Sequence, residues 1–179
     1  IRAPQDRPSL GVETWSDLDA EAAREHVMAG GSLALYGLPG TGKSTMVRAW
    51  VEELRGLGKK VCCVGKTHNS VSILQTSGGH ACTCHHFIYK YIKNGSFQGT
   101  LIIDEISLVE CAVFAELYKL VYMGIQIILV GDWNQMKPCS PHLWRGEEQP
   151  DDIVENSLAL WRMCAGNRCT LTENRRSDE

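Results

Sequence analysis

At 179 residues, with 44% hydrophobic and 22% charged side chains, the chain has the composition of an ordinary soluble domain whose core is large enough to fold alone. A net charge of −3 and a pI near 6.1 argue against a protein that coats nucleic acid by bulk positive charge, while leaving room for a local basic groove. No charged start leads into a long apolar segment, and runs such as Ile125 to Val130 are too short to span a bilayer, so neither secretion nor membrane insertion is expected. The eight cysteines, at 62, 63, 82, 84, 111, 139, 164 and 169, fall largely in apolar segments. They read as reduced, buried thiols of a cytosolic, nuclear or viral-replication setting rather than a disulfide framework.

In chain order, Ile1 to Glu13 is punctuated by Arg2, Pro4, Arg7 and Pro8 without periodicity and reads as irregular. Ser16 is the expected cap of a helix from Asp17 to Met28, stopped by Gly30-Gly31. Residues 1–31 are thus expected as a lead-in and 32–179 as the main domain. Leu33-Ala34-Leu35-Tyr36 reads as a buried strand, and Met46, Val47, Trp50, Val51 and Leu54 recur at helical spacing up to Gly56. Val61 to Val64 repeats the strand pattern, with a helix opening at Gly65-Lys66-Thr67-His68 and running to about Gln75. His80 to Thr83 suits a further strand and His85 to Ile92 a helix, broken at Asn94-Gly95. Leu101-Ile102-Ile103 is a strand that runs straight into Asp104-Glu105; a helix through Val109 to Val121 and a strand from Ile125 to Val130 follow. After a long connection come a helix from about Ile153 to Met163 and a last strand, Cys169-Thr170-Leu171. About five strands alternating with helices specify an α/β, three-layer domain with a mostly parallel sheet and ligands at the strand C-termini.

Between the first strand and its helix lies Gly37-Leu38-Pro39-Gly40-Thr41-Gly42-Lys43-Ser44, which satisfies GxxxxGK[ST] at every fixed position. Such a P-loop turns successive N–H groups inward around a polyphosphate at a helix N-terminus, here from Gly37, Pro39, Gly40, Thr41 and Gly42 through Lys43, Ser44 and Thr45. Lys43 would reach the β and γ phosphates and the Ser44 hydroxyl would ligate Mg²⁺. An apolar strand ending in two acids beside a P-loop is a Walker B arrangement: Asp104 would hold Mg²⁺ and Glu105 would orient the attacking water. Gln135 is a candidate γ-phosphate sensor and Arg176 a candidate transition-state cation.

The ordered segments GLPGTGKST, VGKTHNS, CTCHHF, LIIDEIS, VGDWNQMKP and LTENRRSD resemble motifs I, Ia, Ib, II, III and IV of the superfamily 1 DNA helicases, nearest to the RecD, Dda and Pif-like branch. The resemblance runs from about Leu33 to Asp178 and implies a RecA-like P-loop NTPase domain that uses ATP and Mg²⁺. It implies that Gly131-Asp132 with Gln135 couples ATP to DNA, that Arg176 rather than Arg175 is the motif IV arginine, and that Thr67, His68, Thr83 and His85 lie along single-stranded DNA. Hydroxyls, imidazoles and helix N-terminal amides suit phosphates without reading sequence. It further implies a 5′ to 3′ motor and a second RecA-like domain, absent from this chain, which stops at Glu179 before motifs V and VI.

The sequence also departs from the family pattern. Lys66 stands where Pro is usual, and no Gln occurs between Trp15 and Gly31 where an adenine-reading one is expected. Only 13 residues separate Phe87 from Leu101, little room for a strand-splitting insertion. Rival readings are an RNA helicase domain of viral superfamily 1 type, an autonomous P-loop NTPase with no nucleic-acid role, and a non-catalytic adaptor. His80, Cys82, Cys84, His85 and His86 could be taken for a zinc cluster, but lack a second spaced pair. Phe87 and Tyr89 could stack on bases, with core packing the competing expectation at helical spacing.

Overall fold

The computed structural model describes residues 14–66, 80–133 and 157–173. Their elements are β1 (Ser16–Asp17), α1 (Ala20–Met28), β2 (Leu33–Gly37), α2 (Lys43–Gly56), β3 (Val61–Gly65), β4 (His80–Thr83), α3 (Cys84–Phe87) continued by a π-helix (Ile88–Ile92), β5 (Thr100–Ile103), a 3₁₀ turn (Ile106–Leu108), α4 (Cys111–Tyr118) continued by a 3₁₀ turn (Lys119–Met123), β6 (Gln126–Gly131), α5 (Leu158–Met163) and β7 (Asn167–Leu171). The seven strands form one sheet in the order β1-β7-β2-β6-β5-β3-β4, and every neighbouring pair is parallel. Parallel pairing requires crossovers, to which α1 to α5 contribute among the described residues, and it buries both faces of the sheet.

Strand alternation divides the core in two. Leu33, Leu35, Val61, Cys63, Ile102, Ile128 and Val130 face α1 and α2 and pack on Ala23, Val27, Trp50 and Leu54. Ala34, Cys62, Val64, Leu101, Ile103, Ile127 and Leu129 face the other layer and pack on Phe87, Phe114, Leu117 and Leu160. Burial of each such aliphatic side chain is worth about 1.5–3 kcal/mol, which is why strands with apolar residues on both faces form the centre of the sheet. At the end of the sheet away from the P-loop, Gln126 ties the strands together. Its Nε2 donates to the carbonyls of Val27 (2.7 Å) and Gly31 (2.8 Å), and its Oε1 accepts from the Thr100 hydroxyl (2.6 Å).

Several boundaries differ from the sequence reading. Ser16 does not cap α1. Its N–H donates to the Gly166 carbonyl (2.8 Å) and that of Leu18 to Arg168 (2.8 Å), so the backbone there is claimed by β7 as a short edge strand. The cap is Asp19, whose Oδ1 accepts from Ala22 N–H at 2.8 Å. Residues 16–28 therefore join the same sheet and core as the strands that follow. The helix expected after Thr83 begins at Cys84 and widens into a π-helix, and the one expected over 109–121 is a short α-helix between two 3₁₀ turns. Cys62, Cys63, Cys84, Cys164 and Cys169 are free and buried and Cys82 is free and half-buried, as expected of reduced thiols. The helix expected to follow Gly65, and the start of that expected from Ile153, lie outside the described residues. Among the described residues no helix is long and apolar enough to cross a membrane.

Candidate nucleotide site

Three strand ends converge at one edge of the sheet. Central β2 delivers the P-loop; its neighbour β6, in register Leu35↔Val130, delivers Asp132; and β5, in register Ile103↔Leu129 with β6, delivers Asp104. The loop's backbone follows from its glycines. Gly40 and Gly42 have φ of 84° and 91°, and left-handed Gly42 is the N-cap of α2, with no side chain over the helix N-terminus. The leading N–H groups of that 14-residue helix thus open into the loop, where an anion would be held. Gly37 is needed for another reason: a Cβ there would lie 2.6 Å from Thr41 Oγ1 and 2.9 Å from the Leu171 carbonyl oxygen.

Within the loop, Thr41 is buried and its hydroxyl donates to the Leu38 carbonyl at 2.8 Å. Lys43 donates through Nζ to the carbonyls of Gly37 and Leu38, the latter at 2.9 Å. Burial holds the Lys43 ammonium below its ordinary pKa, and the carboxylates of Asp132 and Asp104 oppose that fall. Pro39, Ser44 and Thr45 are exposed around the loop.

Asp104 is fixed by its backbone as much as its side chain. Its N–H donates to the Val64 carbonyl (2.8 Å), while Oδ1 accepts from the N–H of Glu105 (2.9 Å). Burial raises its carboxyl pKa to about 6, against the Glu105 N–H and the Lys43 charge, which favour the ion, and with Glu105 repulsion adding to the rise. Glu105 itself sits at φ 53°, ψ 45°, left-handed backbone that is costly for a residue with a Cβ.

The structure therefore brings Gly37 to Thr45, Asp104 and Glu105 to one place. It adds Asp132, 5% exposed at the end of β6, whose place in the sequence motif links it only to the Gln135 segment. The readable signal was its position: an acid directly after a buried strand, like Asp104. Thr83 and His85 stand on the same sheet edge but out at β4, Thr83 being in register with Gly65 of β3. Thr83 Oγ1 accepts from His86 N–H (3.3 Å) as the cap of α3, and His85 is exposed. Among the described residues no three His, Cys, Asp or Glu side chains gather to hold a metal. Trp133 packs edge-on to Tyr36 with ring centroids 6.1 Å apart. Thr67, His68, Gln135, Arg175 and Arg176 lie outside the described residues.

A glycine-cradled helix N-terminus with one lysine, flanked by two carboxylates on neighbouring strand ends, defines a P-loop nucleotide-binding domain of RecA-like architecture. The AAA domain family model matches residues 17–142, and the chain belongs to that family. The ATP-dependent RecD2 DNA helicase of Deinococcus radiodurans is 30% identical over 141 residues, which are 74% of this chain and 19% of that protein. The Pif1 helicase of Candida albicans has the same fold, with a TM-score of 0.62 and 25% identity over 86% of this chain and 39% of its own. Together they set this domain within the RecD and Pif-like branch of superfamily 1. The chain spans well under half the length of either relative.

Proposed function

We propose that this chain is the first RecA-like motor domain of a superfamily 1 DNA helicase, binding Mg·ATP and coupling its hydrolysis to 5′ to 3′ stepping on single-stranded DNA with a second such domain. The observation that carries this reading is the convergence of the P-loop, with half-buried Lys43 bonded across it, and of Asp104 and Asp132 at the ends of β5 and β6 on one edge of the sheet. Similarity to the RecD2 and Pif1 helicases supports the coupling to DNA.

The donor set suits a hard divalent cation. Ser44 and Asp104 offer oxygen ligands, and two carboxylates against one lysine leave negative charge to offset. When bound, Mg²⁺ would supply charge neutralisation of the phosphates. The residues of this chain do the remainder. Backbone N–H groups from Gly40 to Ser44 orient the phosphates, and Lys43 exchanges its bonds to Gly37 and Leu38 for bonds to the phosphates. Asp104 and Ser44 would hold the cation, and Glu105 would orient water for attack. Gln135 senses the γ phosphate and Arg176 neutralises the transition state. Thr67, His68, Thr83 and His85 hold the DNA backbone. Residues 32–179 form the body of the motor domain, and of the lead-in 1–31 the part from Ser16 to Met28 belongs to the same sheet and core.

The test is ATP turnover with and without single-stranded DNA, on this chain and on a protein extended by a second RecA-like domain. DNA-stimulated turnover in the extended protein, lost in Lys43→Ala, supports the motor. Equal, DNA-independent turnover in both favours an autonomous NTPase, and stimulation by RNA alone favours the RNA-helicase reading.

A further inference from the structure

The acidic residues are unevenly spread. From Leu54 to Ile103 the sequence contains no Asp or Glu but has Arg55, Lys59, Lys60, Lys66, Lys90 and Lys93; all 21 acids and the other 12 basic residues lie outside it, so the remainder carries −9. This acid-free stretch supplies β3, β4 and α3 with its π-helix, which together make one end of the sheet. A chain acidic as a whole thus has one cationic end.

Within that end, the helix over 84–92 sorts its residues sharply. Cys84, Phe87 and Ile88 are buried, and Tyr91 is half-buried in a ring cluster with Phe87 (centroids 5.1 Å apart) and Phe97 (5.6 Å). His85, His86, Tyr89, Lys90 and Lys93 all face outward. The π turn is the device: Lys93 N–H reaches back five residues to the Ile88 carbonyl (3.3 Å), and the wider turn lets Ile88 and Tyr91 point inward while Tyr89 is left 71% exposed. Core packing, the competing expectation for Tyr89, therefore holds for Phe87 alone. Lys93 Nζ stands 5.4 Å from the Tyr89 ring centroid and Lys90 Nζ 5.0 Å from that of Tyr91, so cations and an exposed aromatic share one small patch.

We infer that the outer face of this helix is a further contact surface for single-stranded nucleic acid, with a base stacked on Tyr89 and phosphates held by Lys90 and Lys93. An exposed ring beside lysines is a combination that binds a single strand without reading it: every base has a face to stack, and every linkage carries a charge. An acidic protein would satisfy the lysines but give Tyr89 no stacking partner. The inference rests on the motor reading and extends its nucleic-acid track from Thr83 and His85 along the helix they begin.

The experiment measures binding of an end-labelled oligo-dT to this chain by fluorescence anisotropy across a salt series, with affinity for a fluorescent ATP analogue measured alongside. Lys90→Gln with Lys93→Gln should flatten the slope of log affinity on log salt by about 1.4, at about 0.7 per lost phosphate contact. Tyr89→Ala should weaken binding about 5- to 100-fold and Tyr89→Phe should restore it. Nucleotide affinity should be unchanged in all three. Unaltered oligonucleotide affinity and slope in the variants would overturn this surface and leave the motor reading standing. A wild-type chain that binds nucleotide but no oligonucleotide would overturn this surface, while the motor reading is decided separately by DNA-stimulated turnover of the extended protein. Competition by poly-glutamate equal to that by oligo-dT, with no effect of Tyr89→Ala, would assign the patch to an acidic protein instead.

Discussion

Lys43 is bonded to its own loop: its ammonium donates to the carbonyl of Leu38 at 2.9 Å, and to that of Gly37 beside it. The P-loop is thus held in shape by the same group that would grip the phosphates, and binding is an exchange of partners rather than the ordering of a free side chain. Lys43→Ala should weaken affinity for an ATP analogue by about 10- to 100-fold, the worth of one or so charge-assisted hydrogen bonds, and change stability by no more than about 1 kcal/mol. Calorimetric titration and thermal melts separate the two effects.

Asp104 makes stability depend on pH in a direction unusual for a carboxylate. Its folded-state pKa of about 6 lies above the ordinary 3.8, so between those values the folded protein binds the proton that the unfolded chain has released. Stability from this group is complete below pH 4 and is lost as pH rises through about 6. Asp104→Asn, neutral throughout, should therefore be more stable than wild type by about 2–3 kcal/mol at pH 7.5 and equal to it near pH 4. A difference independent of pH in urea melts would show that the burial of Asp104 is not the cause.

Glu105 carries backbone strain at φ 53° next to the metal-binding candidate. Glu105→Gly should relieve it and raise stability by about 0.5–1 kcal/mol, while Glu105→Gln leaves stability alone. Both should lose turnover in the extended motor, because a carboxylate is what orients the water. Chemical melts paired with single-turnover rates distinguish strain kept for chemistry from a loop that merely tolerates it.

Gly37→Ala places a methyl group 2.6 Å from Thr41 Oγ1 and 2.9 Å from the Leu171 carbonyl. Neither backbone can retreat freely, since β2 and β7 are paired in the sheet with Gly37 in register with Leu171. A loss of about 1–3 kcal/mol is expected, with nucleotide affinity falling as Thr41 is pushed off Leu38. A structure of the variant with the loop unchanged and full affinity would contradict this.

What could be read from the sequence was what local chemistry decides. The P-loop, the Asp104-Glu105 strand end and the alternation of strands with helices each show as a short pattern with a physical cause, and the structure has them where the patterns fall. What could not be read depends on partners far away in the chain. β1 is two exposed residues long and exists only because Asn167 and Arg168 lie beside it, so no periodicity announces it and Ser16 reads as a cap. Asp132 reads as one more acid until β6 is known to lie between β2 and β5. The π turn leaves no signature in Ile88-Tyr89-Lys90-Tyr91-Ile92 beyond a mixture of apolar and basic residues; only the packing of Tyr91 on Phe97 decides which ring stays outside.

The central claim is that Lys43 and Asp104 form one Mg·nucleotide site. The most direct measurement is titration of this chain with a fluorescent ATP analogue at pH 7.5, with and without Mg²⁺, for wild type, Lys43→Ala and Asp104→Asn. Wild type should bind more tightly with Mg²⁺, Lys43→Ala should bind weakly in either condition, and Asp104→Asn should bind with the Mg²⁺ dependence gone. Equal affinities for the three proteins, or a wild type indifferent to Mg²⁺, would contradict the account.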